Sequence, residues 1–256
     1  MIRVGVLGAA GRMGRTVCEA VAAAEDLEVV AGVDRAHPGE RVAGIDVTDR
    51  FDALTEARAE VAVDFTHPDA VMENVRWCLG NGVHAVVGTT GITAPDLDEI
   101  RSLTEGDETP NAVVAPNFAL GAVLMMRFAA EAARYFAAVE VIELHHDRKA
   151  DAPSGTALGT VGAIEGERSS AWRGPDAETL DGVRGGDVDG VRVHSVRLPG
   201  LLAHQEVLFG APGEVLTIRH DSTDRISFMP GVLIAIRAVA SRPGLTVGLE
   251  PLLPTR

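Results

Sequence analysis

The chain has 256 residues, 46% hydrophobic and 23% charged, a balance that fits one large or two smaller globular domains and excludes a disordered or fibrous chain. Its 37 acidic residues against 23 basic ones give a net charge of −14, which repels phosphate backbones and argues against a nucleic-acid partner. No apolar run approaches the roughly 18 to 20 residues of a membrane span, and the opening Met1-Ile2-Arg3-Val4-Gly5-Val6 has none of the regions of a secretory leader; no membrane partner and a cytoplasmic location are expected.

From the N-terminus, apolar strands alternate with helical patterns, as parallel βαβ units do. Ile2–Leu7 reads as the first strand, residues 8–14 as a glycine-rich turn, 15–24 as a helix, and Leu27–Val33 as a second strand ending at Asp34. Further strands are expected at 61–65, 83–87 and 112–115. A helix begins near Pro68, proline being favoured in a first turn, and another covers 95–104. The pattern then changes. An Ala- and Met-rich helix over 121–136 precedes strands at 139–145, 191–196, 205–209 and 215–219, while 166–190, rich in Gly, Asp and Arg, reads as an extended loop. A last helix over 228–240 is suited to returning to the first domain. The expected fold class is α/β: an N-terminal Rossmann-type parallel sheet with a C-terminal α+β mixed-sheet domain. Residues 1–117 and 227–256 would form the dinucleotide-binding domain, and 118–226 the domain for substrate binding and oligomerisation.

Of the 23 basic residues, 22 are arginine and one, Lys149, is lysine. A GC-rich genome or a salt-rich cytoplasm would each give acid excess with so little lysine. The salt reading is preferred, and it predicts a melting temperature that rises with KCl. Cys18 and Cys78 are too few for a disulfide framework and read as packing residues on helices.

Gly8-Ala9-Ala10-Gly11-Arg12-Met13-Gly14 joins the first strand to the first helix. There glycines permit a tight turn and let a pyrophosphate approach the backbone at a helix N-terminus. Asp34 lies about 20 residues beyond Gly14, the spacing of a carboxylate that binds ribose hydroxyls. Asp34 favours NADH, and Arg35 permits the 2′-phosphate of NADPH, so both cofactors stay open. Two further turns, Gly88-Thr89-Thr90-Gly91 and Ala115-Pro116-Asn117-Phe118, fall at the carboxyl ends of strands, the edge at which such sheets bind ligands, and read as a nicotinamide-side wall.

The segment Glu143-Leu144-His145-His146-Asp147-Arg148-Lys149-Ala150-Asp151-Ala152-Pro153-Ser154-Gly155-Thr156 holds two of the eight histidines and the single lysine. Read as strand, it turns His145 and His146 to opposite faces, unsuited to sharing one ion, and no metal is expected. Around Ser154 the glycine spacing of a nucleophile elbow is missing. A Schiff-base lysine prefers a desolvated pocket, whereas Lys149 has Asp147, Arg148 and Asp151 beside it. The pattern suits a small dianion. Backbone N–H groups of Gly155 and Thr156, the Thr156 hydroxyl and the Lys149 ammonium can hold carboxylates, and a histidine can supply or orient a proton near neutral pH.

His145-His146-x-x-Lys149-x-Asp151-Ala152-Pro153-Ser154-Gly155-Thr156-Ala157, with the 8–14 turn and the Gly88 and Ala115 turns in the same order, resembles the 4-hydroxy-tetrahydrodipicolinate reductase (dihydrodipicolinate reductase) family over essentially the full chain. The resemblance implies a homotetramer that transfers hydride from NADH or NADPH to a cyclic dicarboxylate, with loss of water, on the diaminopimelate route to lysine. Carried over position by position, it makes His145 the proton donor or its immediate support and Lys149 a second proton donor. His146, Gly155 and Thr156 would contact the substrate's carboxylates. Gly8, Ala9, Ala10, Gly11, Arg12, Met13, Asp34, Gly88, Thr89, Thr90, Ala115, Pro116, Asn117 and Phe118 would line the cofactor, with Arg35 a further contact. A lone lysine is then intelligible, because an ammonium can both bind an anion and release a proton, which a guanidinium hardly does. Two departures stand out: 157–190 carries less helix than expected, and Leu201, Leu202 and His204 follow Pro199-Gly200 where the family is more polar. The competing readings are another two-domain NAD(P)-dependent dehydrogenase and a non-catalytic NAD(H)-binding redox sensor.

Overall fold

The computed structural model describes residues 1–106, 108–168, 170, 172, 174 and 177–254, and divides into two units, Met1–Phe118 with Phe228–Arg256, and Ala119–Ser227. The first unit begins β1 (Ile2–Leu7), α1 (Arg12–Ala22), β2 (Leu27–Val33), β3 (Arg41–Val42), β4 (Ile45–Thr48) and α2 (Asp52–Glu56). It continues β5 (Val61–Asp64), α3 (Pro68–Gly80), β6 (His84–Val87), α4 (Ala94–Leu103) and β7 (Ala112–Val114). The second contains α5 (Leu120–Ala133), β8 (Ala138–His145), α6 (Gly155–Glu165), β9 (Gly186–Val188), β10 (Val191–Arg197), β11 (Ala203–Ala211) and β12 (Glu214–Ser222). The chain then returns to the first unit with α7 (Met229–Val239) and β13 (Leu245–Val247).

The first sheet runs β13-β7-β6-β5-β1-β2-β4-β3 and is parallel except for the β3–β4 edge pair. Helices on both faces explain why β5, Val-Ala-Val-Asp, is buried at every position. Strand order reverses beside β1, with β2 on one side and β5 on the other, which is the switch point where such sheets bind ligands. Asn111 fastens the returning segment. Its Nδ2 donates to the carbonyls of Val239 and Ala240, and its Oδ1 accepts from Gly244 N–H.

In the second unit the sheet runs β12-β11-β8-β10-β9, with β8 and β10 parallel and the other pairs antiparallel. Helices α5 and α6 cover one face. Val139 and Val141 of β8, Val193, Val207 and Phe209 meet Met125 and Ala129 of α5 and Val161 and Ile164 of α6 there. Alternation along β8 sends Ala138, Glu140 and Ile142 to the other, half-open face.

Several local readings of the sequence need correction. Helix α1 starts at Arg12 rather than 15, because Gly14 lies inside the helix and packs against the turn instead of breaking it. His145 ends β8 and His146 already lies in the following loop, so strand alternation does not separate them. Residues 166–190 are not all loop. Asp189 and Gly190, both at positive φ, turn β9 back onto β10, the Asp-Gly signature of a two-residue hairpin. Ser169, Ala171, Arg173, Pro175 and Asp176, part of the same expected loop, lie outside the described residues. The Ala43-Gly44 turn between β3 and β4 is a second hairpin. Among the described residues no helix is long and apolar enough to cross a membrane.

Candidate active site

At the carboxyl ends of β1, β2 and β5 lies a cavity of about 320 Å³, walled by Leu7, Gly8 and Gly11, by Val33 through His37 and Phe51, and by Phe65, Thr66, His67, Ala70 and Asn74. Gly8 has φ +76°, a conformation an L side chain rarely adopts, and a Cβ there would lie 2.7 Å from the Phe65 carbonyl oxygen. At Gly14 a Cβ would come within 1.9 Å of the Gly8 carbonyl oxygen, so this glycine lets α1 close onto β1. Gly11 is the N-cap of α1 and brings no side chain to its first N–H groups, which leaves a helix N-terminus suited to an anion.

Asp34 is anchored by backbone N–H groups. Its Oδ2 accepts from Ala10 N–H at 3.2 Å and its Oδ1 from Ala36 N–H at 3.0 Å. Arg35 donates to both oxygens of Glu73, at 3.0 and 2.7 Å, and its guanidinium sits 5.1 Å from the Phe51 ring centre. Of the residues expected to line a cofactor, Gly8, Gly11, Asp34 and Arg35 form the cavity wall. Ala9 and Ala10 are buried in the turn, while Arg12 is exposed and Met13 half-buried on the first turn of α1. Gly88, Thr89 and Thr90 follow β6, and Ala115, Pro116, Asn117 and Phe118 follow β7, further along the same edge.

Sequence reasoning missed what organises that edge. Asp64, 2% exposed, accepts from Thr66 N–H, the Thr66 and Thr89 hydroxyls and the Asn74 amide at 3.0, 2.8, 2.6 and 2.7 Å. It ties the end of β5 to α3 and to the turn after β6, and it commits the Thr89 hydroxyl inward. A charged residue closing an otherwise apolar strand was the available signal. Gly88 leaves room for the Phe65 ring, which packs tilted against Phe118 at 5.8 Å.

In the second unit the helix-facing side of the sheet changes from apolar to polar toward the end of β8. Glu143 and His145, two residues apart, share that face. The Glu143 carboxylate is fully buried and meets, besides the Ser195 side chain, His145 Nδ1 at 2.5 Å, two nitrogens of Arg197 at 2.9 and 2.8 Å, and Ser154 N–H at 3.2 Å. Arg197 also donates to the Asp151 carbonyl, so strand, loop and helix start are clamped together. Neither Glu143 nor Arg197 was assigned a role from sequence. Lys149 Nζ lies 2.8 Å from each oxygen of Asp151. His146 is half-buried, and its Nδ1 finds no hydrogen-bond partner among the described residues. Ser154 caps α6 by accepting from Ala157 N–H, which puts Gly155 and Thr156 at the helix start, with open space where a Gly155 Cβ would project.

Burial pushes the His145 ring below the usual imidazole pKa, and its hydrogen bond to Glu143 offsets this only in part. Burial also opposes ionisation of Glu143, yet the hydrogen bonds from Arg197, Ser195 and His145 hold its carboxyl below the usual range. An ionised Glu143 can only accept, so His145 Nδ1 carries the proton and Nε2 is the nitrogen left for chemistry. The Lys149 ammonium holds Asp151 low in the same way.

The family model described as "Dihydrodipicolinate reductase, N-terminus" matches residues 2–118, and "Dihydrodipicolinate reductase, C-terminus" matches 121–253. The chain is 58% identical to the 4-hydroxy-tetrahydrodipicolinate reductase of Nocardia farcinica over 98% of both chains. To that of Mycolicibacterium vanbaalenii it is 56% identical, covering 98% of this chain and 99% of the relative. Among solved structures, the dipicolinate-bound dihydrodipicolinate reductase from Paenisporosarcina sp. TG-14 superimposes with a TM-score of 0.87 at 43% identity, covering 99% of this chain and 100% of that one. With both family models matched and these relatives aligned nearly end to end, the chain belongs to the dihydrodipicolinate reductase family.

Proposed function

We propose that the chain reduces 4-hydroxy-tetrahydrodipicolinate, with loss of water, to tetrahydrodipicolinate at the expense of NADH or NADPH, as a step of diaminopimelate and lysine biosynthesis. The observation that carries this reading is the stretch from Glu143 to Thr156. It gathers a buried carboxylate–imidazole pair, one lysine ammonium and the start of α6, a combination suited to a small dicarboxylate that must gain a proton.

The cavity beside β1 fits a pyridine dinucleotide: Gly8 and Gly14 close a turn no larger residue would allow, α1 presents its N–H groups, and Asp34 offers a fixed acceptor. The residues that would hold it are Gly8, Ala9, Ala10, Gly11, Arg12 and Met13 at the pyrophosphate, Asp34 and Arg35 at the adenosine ribose, and the Gly88–Thr89–Thr90 and Ala115–Pro116–Asn117–Phe118 turns toward the nicotinamide. When bound, the cofactor supplies a hydride. Everything else falls to side chains of the second unit. Gly155, Thr156 and His146 bind the substrate's carboxylates, the buried His146 Nδ1 being a polar group that wants a partner. Lys149 leaves Asp151 to meet a substrate carboxylate and donates the proton. His145, kept neutral by burial, orients the ring through Nε2 and becomes an acid once a bound dianion raises its affinity for a proton.

Leu124 and Phe128 on α5 and Leu158 on α6 are large apolar side chains exposed on a single chain, which supports burial between copies in a homotetramer. Two buried free cysteines suit a reducing cytoplasm. The test is loss of reduced-nicotinamide absorbance when the protein meets the heterocycle generated freshly by its synthase, with NADH and NADPH in turn. Turnover supports the reading. Failure to oxidise either cofactor, by folded protein at several salt concentrations, overturns it.

A further inference from the structure

We propose that Glu73 sets the cofactor preference of this chain, holding the Arg35 guanidinium in an ion pair so that NADH is favoured over NADPH. The proposal rests on reading the cavity beside β1 as the dinucleotide site. Arg35 is the arginine on that wall next to Asp34, where the ribose 2′ position would be read. Both of its terminal nitrogens are already engaged, Nη1 at 3.0 Å and Nη2 at 2.7 Å from the two oxygens of Glu73. This fork-on-fork geometry uses the same donors that a 2′-phosphate would need.

Glu73 itself is not part of the cavity wall. It stands on α3 one helical turn before Trp77, whose ring stacks on Phe51 at 5.4 Å, and Phe51 in turn faces the Arg35 guanidinium. The arginine is therefore held on two sides, by a carboxylate and by an aromatic ring braced from the same helix. Charge points the same way. Glu73 offsets the charge of Arg35, and the neighbouring Asp34 carboxylate, with His37 Nδ1 3.2 Å from its Oδ1, faces the same corner, an arrangement less suited to a phosphate dianion than to a hydroxyl. The mutual stabilisation is visible in both partners, Arg35 raised and Glu73 lowered from their ordinary pKa. Both side chains are more than half exposed, at 54% and 59%, so the pair is weak enough for one substitution to tip.

The test is equilibrium binding to the full-length protein, by calorimetry, of NADH, NADPH, ADP and adenosine 2′,5′-bisphosphate. Wild type should bind NADH more tightly than NADPH. Glu73→Gln should move the ratio of the two Kd values toward NADPH by roughly two- to fivefold, the scale of one exposed ion pair, and should tighten adenosine 2′,5′-bisphosphate in parallel. Adding Arg35→Gln should remove that gain. A Glu73→Gln ratio within about twofold of wild type, or a wild type that prefers NADPH, overturns the proposal. Asp34→Asn separates the two levels of the reading. If it weakens NADH while Glu73→Gln changes nothing, the role of Glu73 alone is wrong. If neither Asp34→Asn nor Arg35→Gln alters any Kd, the cavity is not the adenosine site and both fall.

Discussion

The carboxylate of Glu143 sits 2.5 Å from Nδ1 of His145, fully buried, with Arg197 donating to both of its oxygens. The pair fixes which imidazole nitrogen is available, and the arginine supplies the charge that lets a carboxylate stay ionised without water. Glu143→Gln keeps the shape and loses the charge, so turnover should fall by about 10², the lower end of what a positioned acid contributes. Because Glu143 raises the proton affinity of His145, its loss should move the His145 titration to lower pH, read by NMR of the ring Cε1–H. An upward shift would show that the carboxylate does not act on this ring. Glu143→Ala leaves Arg197 without its partner and should cost about 3 kcal/mol in urea denaturation.

Acid stability follows from three groups of one sign. His145 titrates below its ordinary 6.5, Glu143 below 4.5 and Asp151 below 3.8 once folded. In each case the unfolded chain binds the proton more readily. The stabilisation is therefore complete above the unfolded value and is lost as pH falls through the folded one. Melting temperature should be insensitive to these groups above about pH 7 and should decline on acidification, first with His145 and then with the carboxylates. In Glu143→Gln the carboxylate part of that decline should shrink. A melting curve that improves between pH 6.5 and pH 4 would contradict the assignment.

What the sequence made legible is what depends on near neighbours in the chain. The alternation of apolar runs and helical patterns carries the parallel sheet, and the run from His145 to Thr156 carries the family resemblance. Glu143 lay in plain sight two residues before that run, but its importance comes from Arg197, 54 residues away, brought beside it by the parallel pairing of β10 with β8. Asp64 likewise matters through Thr89 and Asn74, which only the folded sheet edge collects. The β9–β10 hairpin did leave a local sign, Asp189-Gly190, hidden in a segment whose glycine and aspartate content reads as loop.

Lys149 tests the need for a movable proton. Lys149→Arg preserves the charge and can keep an ion pair with Asp151, so fold and cofactor binding should survive while turnover drops at least about 10²-fold. Near-native turnover would remove Lys149 from the proton transfer. Asp151→Asn addresses the other half of the pair. It removes a negative charge that competes with the substrate for the ammonium, so the KM for the dicarboxylate should fall, most clearly at low ionic strength. A higher KM would mean that Asp151 positions Lys149 rather than competing for it.

The glycine turn offers a contrast between two alanines. At Gly14 an added Cβ would meet the Gly8 carbonyl oxygen at 1.9 Å and the Ala9 Cα at 2.8 Å, all backbone. The turn must open, so Gly14→Ala should lose about 1–3 kcal/mol of stability as well as nucleotide affinity. At Gly11 the nearest atom to an added Cβ is the same oxygen at 3.1 Å, and the residue faces the cavity. Gly11→Ala should fold with a melting temperature near wild type yet bind NADH more weakly, because the methyl enters the space left for the pyrophosphate. Thermal denaturation paired with calorimetric titration of NADH separates the two. NADH affinity unchanged in Gly11→Ala would mean that the turn serves only to join β1 to α1.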